Sequence, residues 1–86
     1  MLPLTTVPQL ARWLGTSESR VRYAASKYAI NPVATIGGTK LFDVTGAIAI
    51  VRCMLAIAGR RRTKHRADSQ LIARLLFALQ ILDIYR

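Results

Sequence analysis

The chain has 86 residues, 52% of them hydrophobic, and its 13 lysines and arginines outnumber its 4 aspartates and glutamates to give a formal net charge of +9. A chain of this length forms one small domain with little room for a catalytic pocket. The sequence holds no paired carboxylates, no Ser/His/Asp set and no metal-ligand cluster, so we expect no enzyme, no metal and no cofactor. The excess of positive charge favours a polyanionic partner.

Compartment and membrane signals point to the cytoplasm. Cys53 is the single cysteine, which excludes an intramolecular disulfide and a cysteine-based zinc site, and a free thiol suits a reducing compartment. Residues 1–3 lack the basic region of a signal peptide, and Pro3 interrupts the apolar stretch. The longest apolar run, residues 44–58, is too short to span a bilayer and carries Arg52 at its middle. We therefore expect a cytoplasmic protein without a membrane partner.

Two short helices are predicted near the start of the chain. Apolar residues recur at helical spacing in each of them: Val7, Leu10, Ala11 and Leu14 in the first, and Val21, Ala24, Ala25 and Tyr28 in the second. Thr6 and Gln9 have the spacing of a capping box ahead of the first helix. Gly15 suits a left-handed cap after it, and Ser17 is placed as the N-cap of the second. Two apolar faces joined by a glycine turn give a helix-turn-helix layout, or else a helical hairpin without a ligand.

The second helix keeps a continuous polar face, made of Ser19, Arg22, Tyr23, Ser26 and Lys27. Its composition suits the reading of a DNA groove. Arg22 can bond a guanine edge with two hydrogen bonds, serines can meet bases or phosphates, and the Tyr23 hydroxyl can reach a phosphate. The alternative is a solvated helix face, in which an exposed Tyr23 is less expected.

A β-hairpin is predicted next. Asn31 and Pro32 are expected to end the second helix, because a residue before proline avoids the α region. Residues 33–36 and 39–42 are strand-like and are joined by Gly37-Gly38, the two-residue loop that allows positive φ at both positions. This hairpin has the position of a wing. Lys40 beside its tip is expected to meet the DNA backbone, unless the hairpin serves only in packing.

Asp43 is expected to cap a third helix, residues 44–59, which reads as a buried helix with a broad apolar stripe. The run that follows, residues 59–67, holds five of the basic side chains. Such a run is usually a solvated linker. Beside a groove-reading helix we expect a second phosphate contact from it, through Arg60, Arg61 and Arg62.

A last helix is predicted from Asp68 or Ser69 to Arg86. Apolar residues repeat at spacings of three and four, as in a coiled-coil seam: Ile72, Leu75, Leu79 and Leu82. Further apolar residues cover much of the remaining surface, and so small a monomer cannot bury two apolar faces. We therefore expect the seam to form a homo-oligomer. Binding to a membrane surface is the competing interpretation, but the polar side lacks the Lys/Arg face that it requires.

The order of these elements carries a family resemblance. Ala11, Gly15 and Val21 have the spacing of a helix-turn-helix, and the Gly37-Gly38 hairpin is followed by Phe42-Asp43 and a helix. Residues 2–58 together resemble the excisionase and MerR-type winged helix-turn-helix domain. The resemblance implies that residues 17–27 read the major groove, which adds Ser17 and Arg20 to the polar face, and that residues 37–40 contact the backbone.

The sequence thus predicts a mostly α fold with a small hairpin wing. Residues 1–59 form the winged helix-turn-helix domain, residues 60–67 a basic linker, and residues 68–86 an oligomerisation helix. The expected function is sequence-specific binding of double-stranded DNA, in recombination directionality or transcription regulation, in a bacterium or from a phage or plasmid. A recombinase or a polymerase is a further candidate partner. The alternatives are a terminase-like DNA-packaging scaffold and a protein-interaction module without DNA binding.

Overall fold

The structure is a computed structural model that describes residues 4–60 and 66–84. Its elements in chain order are α1 (Val7–Leu14), α2 (Glu18–Lys27), β1 (Ala34–Ile36), β2 (Thr39–Leu41), α3 (Val44–Arg60) and α4 (Arg66–Ile84). The predicted fold class, mostly α with a small β-hairpin, is confirmed. In the described part of the chain, no helix is long and apolar enough to cross a membrane.

The predicted caps of α1 and α2 are present. The Gln9 backbone N–H donates to the Thr6 hydroxyl, and the Thr6 N–H donates to the Gln9 side-chain oxygen, which completes the capping box. Gly15 ends α1 with a left-handed φ of 72°. The Ser17 hydroxyl accepts the N–H of Arg20 at 3.3 Å and so begins α2.

The end of α2 differs from the prediction. The helix stops at Lys27, ahead of Asn31 and Pro32, because Ala29 adopts a left-handed φ of 52°. The Ile30 N–H then donates to the Ala25 carbonyl at 2.9 Å, and the Ala29 N–H donates to the Ser26 carbonyl. These two bonds form a Schellman motif in which alanine occupies the place usually taken by glycine.

The hairpin forms in the predicted register. Ile36 pairs with Thr39 across a two-residue loop, and both Gly37 and Gly38 have positive φ. The chain ahead of α1 joins it, because Thr5 and Phe42 exchange two backbone hydrogen bonds of 2.8 Å. The base of the hairpin is thereby tied to the start of α1.

The core lies among all four helices. Asp43 caps α3 by accepting the Gly46 N–H at 2.8 Å, as predicted. α3 packs against α2 on one side and α4 on the other, while α1 contacts both α2 and α4. The buried apolar residues form one cluster: Leu10, Ala11, Leu14, Val21, Ala24, Phe42, Ala47, Ile48, Ile50, Val51, Met54, Leu75, Ala78 and Leu82.

The predictions for α4 need correction. The helix begins at Arg66, ahead of Asp68 and Ser69, so neither residue is its N-cap. It runs to Ile84, and the predicted end at Arg86 lies outside the described residues. Arg60 ends α3 and Arg66 starts α4, so helix extends into both ends of the predicted linker, residues 60–67.

The predicted seam of α4 faces inward. Leu75 and Leu82 are fully buried, and Ile72 and Leu79 are half-buried. The prediction that this stripe forms an exposed oligomer surface was therefore wrong for Leu75 and Leu82. A side chain that the core buries completely has no surface left to offer a second chain, whereas the roles predicted for Ile72 and Leu79 stay predictions. The large apolar side chains that α4 exposes are Leu76, Phe77 and Ile84.

Candidate nucleic-acid interface

Helix α2 presents the polar face that the sequence predicts. Val21 and Ala24 are fully buried against the core, and this orientation turns the opposite side of the helix to solvent. All the predicted side chains of this face are exposed: Ser19, Arg20, Arg22, Tyr23, Ser26 and Lys27. The helix carries three cations and one carboxylate, Glu18, in its first turn.

The exposed residues of α2 fall into an outer strip with a flank on each side. Successive residues of an α-helix are about 100° apart. On this spacing Ser19, Tyr23 and Ser26 lie opposite the buried pair and form the outer strip. Arg22 lies roughly 70° to one side of that strip, and Arg20 and Lys27 lie roughly 70–90° to the other. The helix therefore presents hydroxyl groups along its middle and cations along both edges.

A shallow cavity of 260 Å³ joins α2 to two other elements. It is lined by Val7, Pro8, Arg22, Gly38, Thr39 and Lys40. The first two residues begin α1, and the last three belong to the tip and second strand of the hairpin. The structure thus brings Arg22 and Lys40, which are 18 positions apart in sequence, to the same concave surface.

Two of the predicted residues also have local structural roles. The Lys27 ammonium lies 5.6 Å from the centre of the Tyr23 ring, one helical turn earlier. This cation–π contact holds the lysine along the helix surface. The Ser17 hydroxyl is occupied as the N-cap acceptor of α2, so Ser17 positions the helix whatever else it contacts.

Most of the basic run lies outside the described residues. Arg60 is the last residue of α3, whereas Arg61 and Arg62 lie outside the described residues. Their predicted contact with phosphate therefore stays a prediction.

Sequence reasoning missed two features near this face. The side chain of Arg74 on α4 lies over Gly15, so that its guanidinium occupies the place where a Cβ would stand. The second is the cavity itself, because helical periodicity could not predict that the start of α1 lies beside the hairpin. The Gly15 turn was a signal for close approach, but it did not identify the side chain that approaches.

Comparison of the chain with models of protein families, with curated proteins and with solved structures finds no match. Within residues 4–60 and 66–84, no group of three or more His, Cys, Asp or Glu side chains is placed to hold a metal ion.

Proposed function

We propose that this protein binds double-stranded DNA as a winged helix-turn-helix, with α2 in the major groove and the hairpin as the wing. The observation that carries the proposal is the convergence of the two elements: Arg22, at one edge of the exposed polar face of α2, lines the same cavity as the hairpin lysine Lys40. An α-helix fits the major groove, and a second basic element beside it fits the flanking backbone.

Charge supports this choice of partner. The net charge of +9 on 86 residues provides the phosphate neutralisation that dominates affinity for DNA. The exposed hydroxyl groups and the tyrosine add hydrogen-bonding groups of the kind that read base edges. The mechanism is docking without chemistry, in which cations fix the position of the protein and the outer strip selects the sequence.

The biological role that we propose is recombination directionality or transcription control in a bacterium, phage or plasmid, with a cytoplasmic location. Genome-wide mapping of the bound sites tests this part. Sites at an attachment locus support recombination, promoter sites support regulation, and sites at a packaging locus support the terminase-like scaffold instead.

We also propose that the protein self-associates. The face of α4 that we propose for this contact is not the seam predicted from the sequence. Phe77 and Ile84 are seven residues apart and so lie on the same side of the helix, and Leu76 is adjacent to Phe77. Their exposed fractions are 63%, 80% and 52% for Phe77, Ile84 and Leu76. An exposed apolar patch of this kind marks an interface, and a second copy of the chain offers the same uncharged side chains in a two-fold arrangement.

Binding of the full chain to a short labelled duplex tests the proposed function directly. We expect replacement of Tyr23 and Ser26 by alanine to weaken binding to a selected site, since both side chains are exposed on the outer strip. The matched control is replacement of Thr45 and Ala56, which are exposed on α3, by serine. Wild-type protein that bound no duplex at any salt concentration would rule out the DNA-binding proposal.

A further inference from the structure

Arg22 differs from the other exposed residues of α2 in the surface that it lines. Arg22 lines the cavity together with the start of α1 and the tip of the hairpin. The outer strip of Ser19, Tyr23 and Ser26 is absent from that lining. A helix that sits in the major groove directs its outer strip to the base edges and its two flanks to the two sugar–phosphate strands. Arg22 lies on the flank nearer the hairpin.

The chemistry of the cavity suits a phosphate group. Its lining includes one basic residue of α2 and one of the hairpin, Arg22 and Lys40, so two separate elements contribute positive charge to its walls. Guanidinium groups bind phosphate oxygens with paired hydrogen bonds, and lysine adds a point charge. Gly38 at the hairpin tip has a φ of 81° and no atom within 4 Å of where a Cβ would stand. The sugar–phosphate backbone of a DNA strand can therefore approach the loop closely.

We propose that this cavity seats one phosphodiester of the DNA backbone and that Arg22 is its anchor, rather than a reader of guanine. The inference rests on the proposed function and assigns different roles to the residues that contact DNA. Arg22 and Lys40 hold one strand beside the hairpin, and the outer strip of α2 supplies the base contacts. Sequence selection then depends on hydroxyl groups and the Tyr23 ring, not on the arginine.

The test uses the full chain with two duplexes: one selected from random sequences as a preferred site, and one of random sequence. Arg22→Ala is compared with Arg12→Ala, because Arg12 is exposed in the last turn of α1 and lies outside the cavity lining. Both variants lose the same formal charge. Circular dichroism checks that each one is folded.

We expect Arg22→Ala to weaken binding to both duplexes by the same factor, roughly tenfold, as for the loss of a charged hydrogen bond. The slope of log affinity against log salt should fall by about 1, as for the loss of one phosphate contact. Arg12→Ala should have a smaller effect on both. Arg22→Lys should recover part of the affinity, whereas Ser19→Ala and Ser26→Ala should change the ratio of specific to random affinity.

Ethylation of single phosphates gives a sharper readout. One phosphate whose ethylation blocks wild-type binding should cease to matter for Arg22→Ala, which has already lost that contact. The inference is overturned if Arg22→Ala changes site preference and leaves random-duplex affinity intact, or if Arg12→Ala has the same effects as Arg22→Ala. Either result leaves DNA binding by the wild type standing. Wild-type protein that binds neither duplex overturns the proposed function as well.

Discussion

Ala29 holds a backbone conformation that a side chain disfavours. Its φ of 52° lies in the left-handed region, which costs a residue with a Cβ about 1–2 kcal/mol. Ala29→Gly removes that cost at the Schellman motif. Part of the gain is offset, because glycine loses more conformational entropy than alanine when the chain folds. We expect the free energy of unfolding, measured by urea denaturation, to rise by about 0.5–1 kcal/mol.

The matched control is Ala56→Gly, the same substitution at an exposed position within α3. There the backbone is helical, so glycine should lower the free energy of unfolding by about 1 kcal/mol. Opposite signs for the two variants would establish that the conformation at Ala29 is the cause. A loss of stability in both would contradict it.

Cys53 links stability to pH. Burial raises the pKa of its half-buried thiol, because the charged thiolate is disfavoured away from water. In the unfolded chain the thiol ionises first, near its ordinary pKa of about 8.5. The thiol therefore does not lower the free energy of unfolding below that pH. As pH rises from there through the pKa of the folded state, the free energy of unfolding falls. The free energy of unfolding should fall more steeply with pH in the wild type than in Cys53→Ala, which lacks this ionisable group.

The helix caps could be predicted from the sequence, but the turn that ends α2 could not. A cap depends on two residues three positions apart, so the Thr6–Gln9 box and the caps at Ser17 and Asp43 could be predicted from spacing alone. The turn at Ala29 depends on a conformation that alanine rarely adopts. The residue type of Ala29 does not predict this turn, and the nearby Asn31-Pro32 was the stronger signal for the end of the helix.

At the scale of elements, α4 divides into a buried face and an exposed one. Leu75 is fully buried against the core, so Leu75→Ala should lower the free energy of unfolding by about 2–5 kcal/mol, through lost burial and the cavity left behind. Phe77→Ala on the same helix should cost much less in a dilute solution, because 63% of that side chain is already exposed. Thermal or urea unfolding measures both. Equal costs would contradict this orientation of α4.

Periodicity could not orient α4, because apolar residues repeat on more than one of its sides. Ile72, Leu75, Leu79 and Leu82 have seam spacing, but Phe77 and Ile84 repeat over two turns as well. The side that α3 covers is set by packing between helices distant in sequence. For α2 the pattern was unambiguous, since a single apolar stripe left a single polar face, and the exposed site residues followed from it.

At the scale of the whole molecule, charge should govern binding. On the proposed function, a chain with a net charge of +9 would neutralise several phosphates and release their counterions on binding. We expect the affinity for any duplex to fall steeply and linearly on a plot of log affinity against log salt. A titration by fluorescence anisotropy gives the slope. A flat plot would be incompatible with binding driven by phosphate neutralisation.

Self-association should depend on the exposed face of α4. Phe77→Glu places a charge on that face, where pairing with a second copy would bury it, so we expect light scattering to show a shift to monomer. Thr45→Glu adds the same charge at an exposed position of α3 and serves as the control. A Phe77→Glu variant that is folded and keeps the wild-type mass would place the interface elsewhere.

The four helices share one core, so α4 should stay bound to the rest of the protein even when the chain between α3 and α4 is cut. Leu75, Ala78 and Leu82 of α4 belong to the same buried cluster as residues of α1, α2 and α3, and Arg74 lies over the Gly15 turn. These noncovalent contacts, rather than the peptide connection alone, hold α4 in place. A chain cut once within residues 61–65 should therefore behave as a split protein, whose two fragments reassemble by complementation and separate only when the core unfolds.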